Sequence, residues 1–366
     1  MYGMNSASTE YDGENKYIRI TDIDENTRLF NPSPLTSPNG ILEEKYLLEK
    51  GDILFTRTGA SVGKSYLYDE KDGKIFFAGF LIRFNVQTEN PYFVFAQTLT
   101  ERYLKWILIM SMRSGQPGIN AEEYKSFPIS ITSIEEQQKI SSFLSLVDER
   151  ITCSMKTIQN LETLIKSVSQ KLFTQKIRFK EFTDEWKITT LGKVLNEPKQ
   201  VPVEKPNEIE LLTVKLHCKG IENTGNYPAV TKNGRPYYRR FKNEILIGRQ
   251  NFHNGGIGIV KSENDGKICS NAISSYNVLT DNLLFVYFYI SRPQYYTRVD
   301  DLIGGTGQKE ISKSEFSKLK INIPCIEEQT KIADFLSKIS DKIETEKKIL
   351  ELLEQQKKYF LQNLFI

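Results

Sequence analysis

Thr58-Gly59-Ala60-Ser61-Val62-Gly63-Lys64-Ser65 is the segment that comes nearest to phosphate chemistry. A phosphate-binding loop needs four residues between its glycines, then a lysine and a hydroxyl, so that successive backbone N–H groups can curl around the anion. Here only Ala60, Ser61 and Val62 separate Gly59 from Gly63, and Thr58 stands where the first glycine belongs. Nucleotide hydrolysis is therefore disfavoured; a Gly-rich turn, or a loop whose backbone can approach a nucleic-acid phosphate, fits the spacing. A methyltransferase would need a Gly-rich cofactor loop and an Asn-Pro-Pro-Tyr-like tetrapeptide. Asn90-Pro91-Tyr92-Phe93 lacks the second proline, and Gly255-Gly256-Ile257-Gly258 is followed by no convincing acidic partner. His217 and His253 are the only imidazoles, and Cys153, Cys218, Cys269 and Cys325 form no C-x-x-C pair, which argues against zinc.

What the loops do offer is cations for phosphates and flat bidentate groups for base edges. Arg57, Thr58, Ser61 and Lys64 cluster in one loop, and Arg249, Gln250, Asn251 and Asn254 in another. A second pair of loops holds Gln116 with Asn120, and Gln308 with Lys309. Arg239 and Arg240 close a basic, aromatic patch that begins at Arg235. For every one of these residues solvated surface charge is the plainer alternative.

These loops come in pairs because the chain repeats itself. Adding 192 turns Ile134-Glu135-Glu136-Gln137 into Ile326-Glu327-Glu328-Gln329, and Phe143-Leu144-Ser145 into Phe335-Leu336-Ser337. The same shift carries Gly115-Gln116 onto Gly307-Gln308, Ile53-Leu54 onto Ile245-Leu246, and Arg57 onto Arg249. One register running through nearly the whole chain signals duplication of an entire domain. No catalytic set recurs in both copies, and neither histidine does, so the chain reads as non-enzymatic. The helical segments agree between copies while the loops differ, as one scaffold carrying two specificities would.

The elements that position the loops are of two kinds. Tyr17–Ile20, Asp52–Phe55 and Ile75–Phe84 read as strands in the first copy, and Glu210–Val214 and Glu244–Ile247 in the second. Phe93–Met112 and Leu283–Arg298 read as helices, so each globular part is α+β. After Ile134, apolar residues at 140, 144, 147, 151, 158, 161, 165, 168 and 172 alternate spacings of three and four, a heptad seam broken at Ser154. After Ile326 the same seam runs from Ile332 to Leu364, with Glu346 and Lys357 as polar breaks. Roughly 38 residues at about 1.5 Å each make a rod of about 57 Å. Two such seams in one chain favour antiparallel pairing with each other.

The 366 residues suffice for two cores, and 39% apolar with 26% charged residues describes a globular chain. A net charge of +3 supplies no overall basic field, so any nucleic-acid contact must be local. Reduced, scattered thiols and the lack of a signal segment place the expected location in the cytoplasm.

A globular domain that ends in a Gly-Gln loop, then Ile-Glu-Glu-Gln-x-x-Ile-x-x-Phe-Leu and a heptad helix, all repeated once, resembles the specificity subunit of type I restriction–modification systems. Ile134–Leu144 and Ile326–Leu336 carry the closest match. The resemblance implies two target-recognition domains, at residues 1–133 and 181–325, and two spacer helices, at 134–180 and 326–366, related by a pseudo-twofold axis. It implies a reader of split double-stranded DNA sites that is itself without cofactor. S-adenosylmethionine would reside in two modification subunits, and ATP with Mg in restriction subunits. One departure stands out: Asp184-Glu185-Trp186 through Leu191-Gly192 resembles a domain opening whose first-copy counterpart would precede Met1; if Met1 is the true start, the first domain is expected to be the less stable. The residues alone also leave open a duplicated coiled-coil scaffold without DNA readout.

Overall fold

The computed structural model describes residues 1–113, 115–229, 234–299 and 310–365. The chain divides into two compact units, Met1–Met155 with Lys348–Ile366, and Lys156–Lys347.

In the first unit β1 (Asp52–Thr56) lies between β2 (Ser65–Leu67) and β3 (Leu81–Asn85), antiparallel to both. Its pairings put Ile53 opposite Leu67 and Phe84, and Phe55 opposite Ser65 and Ile82. Phe55, Ile82, Tyr103 and Ile107 share one core, as alternation along a half-covered sheet requires. Then come α1 (Pro91–Gln97), α2 (Glu101–Met110) and the short α3 (Ala121–Lys125), followed by the long α4 (Ile134–Phe173).

The second unit opens with β4 (Lys187–Thr190) and β5 (Leu195–Asn196). Its sheet centres on β6 (Ile245–Gly248), flanked by β7 (Ile257–Ile259) and β8 (Ile273–Val278). The register again adds 192: Ile245 faces Ile259 and Tyr276, and Ile247 faces Ile257 and Ser274. β5 extends this sheet at the edge of β8. Next come α5 (Leu283–Ile290), α6 (Pro293–Tyr296), α7 (Lys313–Lys318), β9 (Lys320–Ile323) and the long α8 (Ile326–Asn363). Outside these matched sheets the copies extend different pairings around one equivalent strand. The first pairs Lys16–Ile18 in parallel with Ile75–Phe77 and bridges Leu47 to Phe76 antiparallel, whereas the second pairs Tyr237–Arg239 antiparallel to Ile268–Ser270 and bridges Leu211 to Ile268 in parallel.

Three single elements expected from the sequence prove to be pairs. The helix expected over 93–112 breaks between α1 and α2, where the Thr98 and Thr100 hydroxyls bond the carbonyls of Phe95 and Gln97 and so compete with the helix ladder. The one expected over 283–298 breaks before Pro293, whose ring cannot continue it. The strand expected over 75–84 is interrupted at Gly79, where a Cβ would lie 3.3 Å from the Met4 carbonyl.

Both long helices follow their seams, with Leu144, Ile151, Ile158, Leu172, Ile332, Leu336 and Ile343 buried. They pair antiparallel. In the first unit Phe143 meets Phe360 and Asp148 holds Lys357 at 2.6 Å; in the second Glu162 holds Lys347 at 2.9 Å, while Leu172 shares a core with Ile332 and Leu336. The polar break at Lys357 is thus answered by Asp148. Phe365 packs on Phe93 with ring centroids 5.2 Å apart, and Phe173, its counterpart in the register, packs on Phe285 at 5.3 Å. Each unit therefore takes the start of one long helix and the end of the other.

The Glu-Glu-Gln segment has a structural job. Gln137 is fully buried; its Oε1 accepts the Asn90 N–H at 2.9 Å, and its Nε2 donates to the Thr132 carbonyl and to Glu89. Gln329 repeats every bond, with Asn282 N–H at 2.8 Å, the Pro324 carbonyl at 3.1 Å and Asp281 at 2.8 Å. Asn90 and Asn282 are in turn the N-caps of α1 and α5. The tetrapeptide from Asn90 is thus a helix cap. No described helix is long and apolar enough to cross a membrane.

Candidate nucleic-acid interface

In the first unit the turn between β1 and β2 is closed on itself. Gly63 N–H donates to the Thr56 carbonyl at 3.2 Å and to the Tyr124 hydroxyl at 3.1 Å, while the Gly63 carbonyl accepts from Tyr103 at 2.9 Å. At φ +87°, and with a would-be Cβ 2.6 Å from Ile107, position 63 admits only glycine. A strand follows, not a helix, so no helix N-terminus faces an anion here and the turn is not a phosphate-binding loop. The Gln116 loop lies alongside: Ile119 N–H bonds the Arg57 carbonyl at 2.9 Å and Gly59 N–H bonds the Pro117 carbonyl at 3.0 Å. Arg57, half-buried, sets its guanidinium 4.9 Å from the Tyr2 ring centroid. Thr58 and Ser61 are half-buried, and Gln116 and Asn120 are exposed.

The second unit joins its loops the same way, through Ile311 N–H to the Arg249 carbonyl at 3.2 Å. Here the turn is longer, Arg249–Asn254 followed by Gly255 in the left-handed conformation. The half-buried Arg249 pairs with Glu310 at 2.7 Å; Gln250 is half-buried and Asn251 exposed. A polar cleft of about 220 Å³ adjoins it, lined by Gln200, Tyr238, Arg240, Arg249, Ser274 and Lys313. Lys313 in turn pairs with Glu197. Each copy thus brings the residue after its central strand beside the segment that leads into its third short helix.

Both halves of this pattern match one family of sequences, described as the type I restriction modification DNA specificity domain, over residues 4–163 and again over 185–355. The chain belongs to that family. It is a non-catalytic specificity component of a type I restriction–modification system. Two curated specificity subunits of Methanocaldococcus jannaschii align with it. One, assigned to the type I restriction enzyme MjaX, is 28% identical over 86% of this chain and 77% of its own length. The other, that of type I restriction enzyme MjaVIII, is 23% identical over 87% and 79%. Among solved structures, the type I restriction–modification S subunit from M. genitalium shares the fold at a TM-score of 0.63 with 18% identity, over 99% of this chain and 93% of that one. A chain from a structure of type I system assembly and conformational transition gives 0.51 with 14% identity, over 98% and 94%.

Within this specificity-family fold the candidate residues separate by burial. Lys64 is 7% exposed and points away from its loop, donating to the Ile23 carbonyl at 3.0 Å and pairing with Glu25 at 2.7 Å. Arg240 is 2% exposed and bonds Gln200 at 3.1 Å and the Ile273 carbonyl at 2.8 Å. Both cations serve their own domains. Arg239 is half-buried and donates to the Gly266 carbonyl at 2.9 Å. The Asn120 side chain caps α3, accepting from Glu123 N–H at 2.9 Å. Gln308 and Lys309 lie outside the described residues. Tyr238, an aromatic of the patch that begins at Arg235, lines the cleft beside Arg249 together with Ser274 and Lys313, which no sequence motif had marked. Of these two only Lys313, one residue into a helix opened by the capping box Ser312–Glu315, carried any signal.

Proposed function

We propose that this chain reads a bipartite double-stranded DNA target, one half-site per domain, for a type I restriction–modification complex. The observation that carries the reading is the repeated loop junction, Arg57 with Ile119 and Arg249 with Ile311, built on one register but bearing different side chains. A shared junction with divergent chemistry suits two readers of different half-sites. Arg57, Thr58, Ser61 and Gln116 are the contacts assigned to one, and Arg249, Gln250 and Asn251, with Gln308 and Lys309, to the other. The pair Arg249–Glu310 would open to release a guanidinium for guanine or phosphate.

The chain docks two modification subunits and, through the assembled complex, restriction subunits. It holds no cofactor of its own: S-adenosylmethionine belongs to the modification subunits, ATP and Mg to the restriction subunits. The complex works in the cytoplasm, where its DNA is.

The test is co-expression with the neighbouring modification subunit and mapping of methyladenine across the host genome, with this chain omitted as control. A split motif of fixed gap, present only with the chain, is the expected result. A stable complex that leaves no new methylation would overturn the reading in favour of a scaffold.

A further inference from the structure

The loop junction of each unit has a third member, and there the two copies carry side chains of very different bulk. In the first unit the Arg57 N–H donates to the Phe80 carbonyl at 3.1 Å, and in the second the Arg249 N–H donates to the Ala272 carbonyl at 3.4 Å. Adding 192 to 80 gives 272, so the two positions are equivalent. Each ends a short turn ahead of a strand, Gly79-Phe80 before β3 and Asn271-Ala272 before β8. Both turns are pinned by the same main-chain donor: the Gly79 N–H meets the Met4 carbonyl at 2.8 Å, and the Asn271 N–H meets the Pro236 carbonyl at 3.2 Å.

Phe80 breaks the rule that its neighbours obey. Ile75, Phe76, Phe77, Leu81 and Ile82 are each 3% exposed or less, whereas Phe80 is 61% exposed. Among the described residues it joins none of the first unit's apolar clusters, so packing gives no account of a phenylalanine here. Its carbonyl holds Arg57, a half-buried residue whose guanidinium lies over the Tyr2 ring. A benzyl group carries no donor or acceptor, so it cannot hold a phosphate. What it can match on DNA is an apolar feature. The major groove shows one, the 5-methyl of thymine, on the same side as the guanine O6 and N7 that suit an arginine. In the second unit the equivalent side chain is a single methyl, and its neighbours Asn271, Ile273 and Ser274 line the polar cleft instead.

We infer that Phe80 is a specificity-determining residue of the first unit, one that sets its ring against a thymine methyl in the major groove. The inference rests on the DNA-reading function proposed above. A single N–H···O bond ties Phe80 to Arg57, so both side chains address one stretch of groove. With base pairs recurring every 3.4 Å or so, the thymine falls within about two base pairs of the position that Arg57 contacts. Ala272 lacks that reach, and the second unit presents polar groups at the same station. One register thus carries an apolar probe in one copy and a polar cleft in the other, as two half-sites of different composition require.

The test uses the full chain in complex with its neighbouring modification subunit, and the split site mapped from methyladenine. Each thymine of that site is replaced in turn by deoxyuridine, which removes only the 5-methyl, and duplex binding is measured. One position is expected to bind about fourfold more weakly. In the Phe80→Ala variant that penalty should vanish, because the two changes remove the same contact. Phe80 is exposed, so the variant should melt as the wild type does. The inference is overturned if no thymine methyl affects binding, or if every such penalty persists in Phe80→Ala; the split site would then still support DNA reading. A wild-type complex that yields no split site removes the DNA-reading function and the inference together.

Discussion

The side-chain oxygen of Gln329 accepts the main-chain N–H of Asn282 at 2.8 Å, so one buried amide joins the first turn of α8 to the cap of α5. Gln137 does the same for Asn90 in the other unit. A glutamine is suited to this because it offers an acceptor and two donors on one planar group, and all three are used.

Replacing Gln329 with alanine leaves the Asn282 N–H without a partner in a partly buried place. A loss of about 1–3 kcal/mol from the second unit is expected. Urea unfolding read through Trp186, which sits in that unit, measures it, and Trp106 reports the first unit as an internal control. A change below about 0.5 kcal/mol would remove the joint from the forces that hold the unit together.

Glu328 and Glu136 occupy equivalent places with opposite surroundings. Glu328→Gln leaves Arg178 without its buried carboxylate and should cost about 3–5 kcal/mol, whereas Glu136→Gln should stay within about 0.5 kcal/mol. Thermal melting of the two variants decides this, and equal costs would contradict the burial difference.

The four loop cations should divide by role. Arg57→Ala and Arg249→Ala are expected to weaken DNA binding about tenfold and to lower the salt slope by about one, with little effect on melting. Lys64→Ala and Arg240→Ala should instead lower the melting temperature of their own units, since each leaves buried carbonyls without a donor. Filter binding at several salt concentrations, paired with calorimetry, separates the two classes.

Burial pushes the thiols of Cys218 and Cys269 up to about 11 from an ordinary value of 9.0, while Cys153 and Cys325 are exposed. At pH 8, two thiols should react quickly with a disulfide reagent and two slowly. Because the folded values are raised, the stability they contribute is complete below pH 9 and is lost as pH rises towards 11. Alkaline melting should therefore affect the second unit first, and a pH-independent melting point between 9 and 11 would count against it.

Much of this was legible in the residues. The register of 192 predicts the paired sheets, and the spacing of Leu144, Ile151 and Ile158 predicts a buried helical seam, because period and offset survive wherever packing demands them. The fate of individual cations was not legible. Lys64 sits two residues before a strand core, and nothing in its own neighbourhood says that Ile23 and Glu25 will arrive from far back in the chain to receive it. Arg240 closes a basic run in the sequence, but just past the strand Tyr237–Arg239 its guanidinium turns inward to the Ile273 carbonyl. The breaks at Thr98 and Thr100 were hidden because threonine is compatible with a helix and ends one only where its hydroxyl wins a carbonyl. Nor does composition reveal that Ile323 is shielded; that depends on its pairing with Lys187, well over a hundred residues earlier in the chain.

The seating of Phe365 on Phe93 has a consequence for the order of events during synthesis. The first unit needs residues 348–366, yet the entire second unit is encoded before them. At ribosomal speeds of about 5–20 residues per second, the nascent first unit waits roughly 10–40 s with Ala96 and Leu144 uncapped. During that interval its half-finished helix groove is open to chaperones, and to the tail of any neighbouring copy emerging on the same polysome.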